Sequence, residues 1–202
     1  MKQKIAIISA DKEIIELARD LDFNVIGFFD PKNNSECLGA VRLGDDNEWK
    51  KVSDSFPDLK VSLGVDITEL RKRLWSHYGA NYFVTLISKH AVVSPSAKIG
   101  TGSIIQMGVK VLADAVVGNA CKVNVNATVH HDSKIGNFCT IAPGAQILGN
   151  VTLDEGVYVG AGAVILPRRK IGAGAIIGAG AVVTKDVQPG QIVAGVPAKE
   201  MQ

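Results

Sequence analysis

The sequence predicts two domains of different class. Residues 1–86 read as a small α/β domain, and residues 87–202 as an all-β prism of short parallel strands. Three observations carry this. From Val92 to Val187 the chain divides without remainder into sixteen blocks of six residues: VVSPSA, KIGTGS, IIQMGV, KVLADA, VVGNAC, KVNVNA, TVHHDS, KIGNFC, TIAPGA, QILGNV, TLDEGV, YVGAGA, VILPRR, KIGAGA, IIGAGA and VVTKDV. The second residue of every block is Val, Ile or Leu, and the sixth is small or β-branched in all but VILPRR. Upstream of Leu86 the texture changes to apolar runs alternating with helical patterns.

A period of six with one fixed large aliphatic suits a short strand followed by a corner. Positions six, one and two should point in, out and in. Positions three to five are rich in Gly, Asn, Asp and Ala, as corners require. Three sides close one turn, so a coil takes eighteen residues and the sixteen blocks make a little over five coils. The aliphatic ladders fill the interior, and each coil leans on its neighbours. No insertion interrupts the blocks, so no long loop is expected to leave the prism.

In the first domain KIAIIS (Lys4–Ser9) reads as a buried strand and DKEIIELARDL (Asp11–Leu21) as an amphipathic helix. NVIGFFD (Asn24–Asp30) is a second strand, stopped by Pro31, and VSLGVD (Val61–Asp66) a third. The segment after it is a helix with Leu70, Leu74 and Trp75 on one face. This βαβ order predicts a small parallel sheet. Such sheets bind ligands beyond the C-terminal ends of their strands, where Ser9, Ala10, Asp11, Asp30 and Gly64 fall. Asp11 serves equally well as a helix cap.

Residues 1–86 carry 12 basic and 14 acidic side chains, and residues 87–202 carry 10 and 6. The balance is too even for a nucleic-acid partner and suits a small anionic ligand near the prism. No apolar run is long enough to span a membrane, and the N-terminus does not read as a signal peptide, so a cytoplasmic location is expected. Cys121 and Cys139 share block position six one coil apart and read as core filler, while Cys37 lies in a loop.

The prism's candidate chemistry is His131. Among its blocks only TVHHDS carries histidine, and His130 and His131 both fall in the corner after Val129. A neutral imidazole takes a proton from an attacking amine or hydroxyl at pH 7. Asp132 follows it and can hold the tautomer. Gly149 lies eighteen residues further on, where a backbone N–H can meet an oxyanion. Zinc bound by histidines between subunits is the competing use of this corner, but the pair of histidines five residues apart that such sites use is absent, so no metal is expected. Arg168, Arg169 and Lys170 form the prism's basic cluster and read either as a phosphate contact or as a solvated corner.

The hexapeptide pattern resembles the left-handed parallel β-helix of acyltransferases. NVNATVHHDSKIGNFCTIAPGAQILGNVTLDEGVYVGAGAVI and IIGAGAVVTKDVQPGQIVAGVPAKEM sharpen this. With FFDPK, GAVRLGDD, LGVDITELRKRL and LISKHAVVSPSAKIG in order upstream, nearly the whole chain resembles the NeuD/PglD-type sugar acetyltransferases. That resemblance implies a Rossmann-like first domain, a left-handed β-helix and acetyl-CoA as co-substrate. It implies a nucleotide-linked 4-amino sugar as acceptor, with O-acetylation of a sialic acid and a non-catalytic scaffold as alternatives. It also implies a homotrimer with active sites between subunits. By position it assigns His131 as general base, Asp132 as its carboxylate and Asn124 to the acceptor pocket. It assigns Thr140, Gly149, Ala161 and Ala179 to the acetyl-CoA groove, and Asp30 and Gly64 to the nucleotide. Thr140 stands where some members have a histidine. The sequence also departs from the family's Gly-His-Gly turn after the first strand: IISADKEI is about three residues shorter and holds no glycine, which reduces the donors available to a phosphate.

Overall fold

The computed structural model describes residues 2–32 and 36–201. It divides into two compact units, Met1–Lys89 and His90–Gln202.

The first unit is a parallel sheet of β1 (Lys4–Ile8), β2 (Asn24–Phe29), β3 (Arg42–Gly44) and β4 (Lys60–Leu63), in the order β3-β2-β1-β4. Ile5, Ala6, Ile7, Phe28, Val61 and Leu63 are buried, so the apolar runs are the sheet's core. Helix α1 (Lys12–Asp20) starts at Asp11, whose Oδ1 accepts the N–H groups of Glu13 and Ile14 at 2.9 and 3.2 Å. It buries Ile14, Ile15 and Ala18. Helices α2 (Trp49–Ser55) and α3 (Thr68–Tyr78) follow β3 and β4. The expected face of α3 is corrected: Arg71, Leu74 and Tyr78 are buried, whereas Leu70 and Trp75 are half-buried. Phe29, Trp49 and Tyr78 fix this turn, with ring centroids 4.9 to 5.8 Å apart.

In the second unit every one of the sixteen blocks forms a two-residue strand at positions one and two. As far as Val164–Ile165 each strand pairs in parallel with the strand eighteen residues on, as in Thr128↔Gln146 and Val129↔Ile147. The first face stacks Val92–Val93, Lys110–Val111, Thr128–Val129, Gln146–Ile147, Val164–Ile165 and Val182–Val183. The second stacks Lys98–Ile99 through Lys170–Ile171, and the third contains Ile104–Ile105 through Ile192–Ala194. Position two is buried from Ile105 onward, and position six from Ser103 onward except at Arg169. Cys121 and Cys139 lie in this inward column as free thiols, and the hydrogen bond with Cys121, together with burial, pushes the Cys139 thiol up.

The corners share a further rule. Position five is left-handed in block after block: Asp114, Asn126, Asp132 and Asn150 have φ of 58 to 61°. Gly, Asn and Asp tolerate that region best, which explains most of the corner composition, although Ala120, Phe138 and Arg168 hold it too. One expectation is corrected at the far end. By count Val187 is a position-six residue, but it bridges to Ile171, sixteen residues back. The corner at Thr184–Asp186 is two residues short, so the regular period ends at Val183 and the next coil is tighter.

Among the described residues no helix is long and apolar enough to cross a membrane. The inward ladder gives a stability prediction. Ile147→Ala removes a fully buried side chain between Val129 and Ile165 and should cost about 2–5 kcal/mol in denaturant unfolding. Lys134→Ala, outward and exposed, should stay within about 0.5 kcal/mol of the parent.

Candidate active site

His130 and His131 occupy positions three and four of the corner between Thr128–Val129 and Lys134–Ile135. Asp132 takes the left-handed fifth position, φ 59°. Its Oδ2 lies 2.7 Å from the His131 Nδ1. A carboxylate only accepts, so Nδ1 carries the hydrogen, and in the neutral ring Nε2 is then a bare lone pair. Both side chains remain about half exposed, at 55 and 52%.

The imidazole lies against the next coil at Gly149. A Cβ built there would sit 2.7 Å from Nε2 and 2.8 Å from Cε1 of His131. Gly149 is therefore glycine to admit the ring, not to adopt an unusual backbone angle. Around it the coils are tied: the Asn150 N–H donates to the His131 carbonyl at 3.0 Å, and the Arg168 N–H to the Gly149 carbonyl at 3.1 Å. The N–H of Gly149 has no acceptor among the described residues. A base lone pair and an uncommitted backbone donor thus share one corner. His130 stands between Leu112 and Leu148 of the adjoining coils, and desolvation, with His131 beside it, holds its pKa below the ordinary imidazole range.

The structure brings His131, Asp132 and Gly149 together, but not the remaining prism candidates. Asn124, Ala161 and Ala179 lie on a different corner, between the third and first faces. Ala161 and Ala179 are exposed there, while the Asn124 amide donates to the Ile141 carbonyl at 3.1 Å. Thr140 belongs to neither group: it is a third-face strand residue only 1% exposed. In the basic cluster, Arg169 turns to Asp186 at 3.6 Å and Lys170 to Asp154 at 3.8 Å, so these two serve the corner itself.

In the first unit, a cavity of about 340 Å³ opens at the C-terminal ends of β1, β2 and β4. Ser9, Asp30 and Gly64 line it, and Ala10 and Asp11 do not. Asp11 is engaged as the α1 cap. Gly64 is glycine because the Asp11 side chain crowds it, 2.6 Å from where a Cβ would stand. The cavity also takes in Lys32, Asp46, Asp66 and Arg73, which the sequence reading did not single out. Asp66 was within reach of that reading, since it follows the third expected strand. Lys32 lies just past β2, where Asp30 holds its N–H, while Asp46 follows the unforeseen β3 and Arg73 depends on the turn of α3.

The Bacterial transferase hexapeptide (six repeats) family matches residues 114–149 and 150–185. The acetyltransferase domain of PglB from Neisseria gonorrhoeae, solved with acetyl coenzyme A, is 32% identical, with 100% of both chains covered and a TM-score of 0.93. The chain belongs to the NeuD/PglD-type sugar acetyltransferases. PerB of Caulobacter crescentus, solved with CoA and GDP-perosamine, is similar to this sugar acetyltransferase at 30% identity over 98% of this chain and 97% of that one, with a TM-score of 0.91. WeeI of Acinetobacter baumannii is 28% identical over 98 and 99%, with a TM-score of 0.89. No curated protein sequence is a significant match. The sugar acetyltransferase thus has an α/β unit followed in sequence by a left-handed β-helix and uses acetyl-CoA as its acyl donor.

The His131–Gly149 contact yields a direct prediction. Gly149→Ala should displace the imidazole and lower turnover ~10²-fold, the scale of a misplacement of about 1 Å. Circular dichroism should show the fold intact, and unchanged turnover would break the link between this glycine and the ring.

Proposed function

We propose that the chain N-acetylates the amine of a nucleotide-linked 4-amino sugar for bacterial glycan biosynthesis in the cytoplasm, with His131 as general base. The observation that carries this is the oriented pair: Asp132 holds Nδ1–H at 2.7 Å and leaves Nε2 as a base beside Gly149.

The acceptor amine attacks the thioester carbonyl of acetyl-CoA, forming the C–N bond. Its proton passes to Nε2 of His131, and Asp132 supports the imidazolium. The Gly149 N–H receives the oxyanion of the tetrahedral intermediate. The C–S bond then breaks, and the departing thiolate takes the proton back from His131. The prism's cysteines, Cys121 and Cys139, are buried in its inward column and neither belongs to this corner, so the transfer is direct, with no acyl-enzyme.

A homotrimer completes the site in this reading. The catalytic corner and the Ala161–Ala179 corner of one chain lie on different edges of the prism, so a groove using both needs two copies. The third face offers a surface for packing: Tyr158, Ile176 and Ile192 point outward and are exposed. The second face carries Lys98, Lys134 and Lys170 outward and suits solvent.

O-acetylation of a sialic acid or related free sugar is the second reading. It is favoured by the first strand-to-helix turn, whose N–H groups are largely taken by the protein itself. A thiol-release assay with acetyl-CoA and a panel of UDP-, dTDP- and GDP-4-amino sugars and sialic acid separates the two. On the preferred acceptor, His131→Ala should lower the rate by ~10²–10⁴, and His130→Ala should be much milder. A His131→Ala enzyme of near-normal rate sinks the base assignment.

A further inference from the structure

We infer that the acceptor's phosphates are held by the side chains of Arg73 and Lys32 in the first unit's cavity, and not by backbone N–H groups at the β1–α1 turn. This rests on the nucleotide-sugar reading of the preceding section.

Most of the turn's donors are taken. Ser9, at φ 84°, donates its N–H to the Phe29 carbonyl at 2.7 Å. The Ala10 N–H goes to Asp30 Oδ2 at 3.2 Å. The N–H groups of Glu13 and Ile14 go to Asp11. A phosphate arriving here would meet the Asp11 carboxylate and few open N–H groups, the reverse of the usual anion site at a strand-to-helix turn.

Asp30 is committed in the same way. Its Oδ2 accepts from Ala10, its Oδ1 accepts the Lys32 N–H at 2.9 Å, and its carbonyl accepts the Arg42 Nε–H at 2.8 Å. This carboxylate fastens the end of β2 to the β1 turn. It is a staple of the cavity wall, with little left for a ligand.

The cavity nevertheless has the chemistry of a nucleotide site. At about 340 Å³ it falls in the range of small-molecule pockets. Ile8, Phe29, Val65, Ile67 and Leu70 give it an apolar wall suited to a base. Arg73 and Lys32 line it, and neither side chain has a hydrogen bond or ion pair among the described residues. A guanidinium grips phosphate oxygens two at a time and an ammonium adds a point charge. Asp46, one of whose oxygens accepts the Tyr78 hydroxyl at 2.7 Å, keeps a second oxygen for a ribose hydroxyl. Two uncommitted cations therefore replace the donors that the shortened turn consumed.

The test uses the full-length enzyme, its preferred nucleotide sugar, and the matching nucleoside and nucleoside diphosphate as calorimetric probes. Arg73→Ala should raise KM for the nucleotide sugar about 10- to 100-fold, the worth of a charge-assisted hydrogen bond. The kcat and the KM for acetyl-CoA should hold, and Arg73→Lys should recover part of the loss. With Lys32→Ala added, the diphosphate should lose its binding advantage over the nucleoside. Both residues are exposed, so the variants should fold. If the double variant keeps the parental KM and diphosphate advantage while the enzyme turns over nucleotide sugars, the phosphate assignment is overturned and the acceptor reading stands. If the parent binds no nucleoside diphosphate and acetylates only free sugars, both fall.

Discussion

The structure depends on one packing constraint: an aliphatic side chain must return to the same inward place every eighteen residues. Val111, Val129, Ile147, Ile165 and Val183 form one such ladder, all at 0 or 1% exposure. Each depends on the coils above and below, because a two-residue strand buries almost nothing alone. The constraint also fixes the corners. With positions two and six inward, the backbone has three residues in which to turn, and the fifth pays by entering the left-handed region. Asp132 takes that place and tolerates it. The same bend that closes the prism thereby directs a carboxylate at the imidazole before it.

Catalytic geometry follows from stacking more than from any local motif. The His131 ring is confined by its own corner on one side and by Gly149 of the next coil on the other. Base, orienting carboxylate and candidate oxyanion donor need only two coils. What one chain does not gather is the proposed remainder of the groove: Ala161 and Ala179 mark another edge of the prism. A second copy is the economical way to bring the two edges together.

Much of this was legible in the sequence because a strict period is a coordinate system. Counting from Val129 put His131 at an external corner and Gly149 one coil away, and the structure has both there. The same count held the fact that Ala161 and Ala179 belong to a different corner, since neither is separated from His131 by a multiple of eighteen. Legibility failed where the period did. The corner at Thr184–Asp186 is two residues short, so Val187 shifts from its counted place. In the α/β unit, β3 is three residues long at a sheet edge and carries no alternation that reveals it. Helix α3 buries Arg71 where Leu70 was expected, and Tyr78, buried against Phe29, is not among the residues expected on that face. The shortened β1–α1 turn was visible as a departure. Its cause, a set of N–H groups satisfied internally by Asp11, Asp30 and Phe29, required coordinates.

The central claim is that catalytic corner and cofactor corner come from two copies of this chain. Co-expression of a His131→Ala chain with an Ala161→Trp chain, each inactive by itself, tests it most directly. In hybrid trimers some interfaces join an intact His131 to an intact Ala161, so thiol release from acetyl-CoA should reappear when the two chains are mixed. Hybrid trimers that form, are isolated by dual affinity tags and remain as inactive as either parent would contradict the claim.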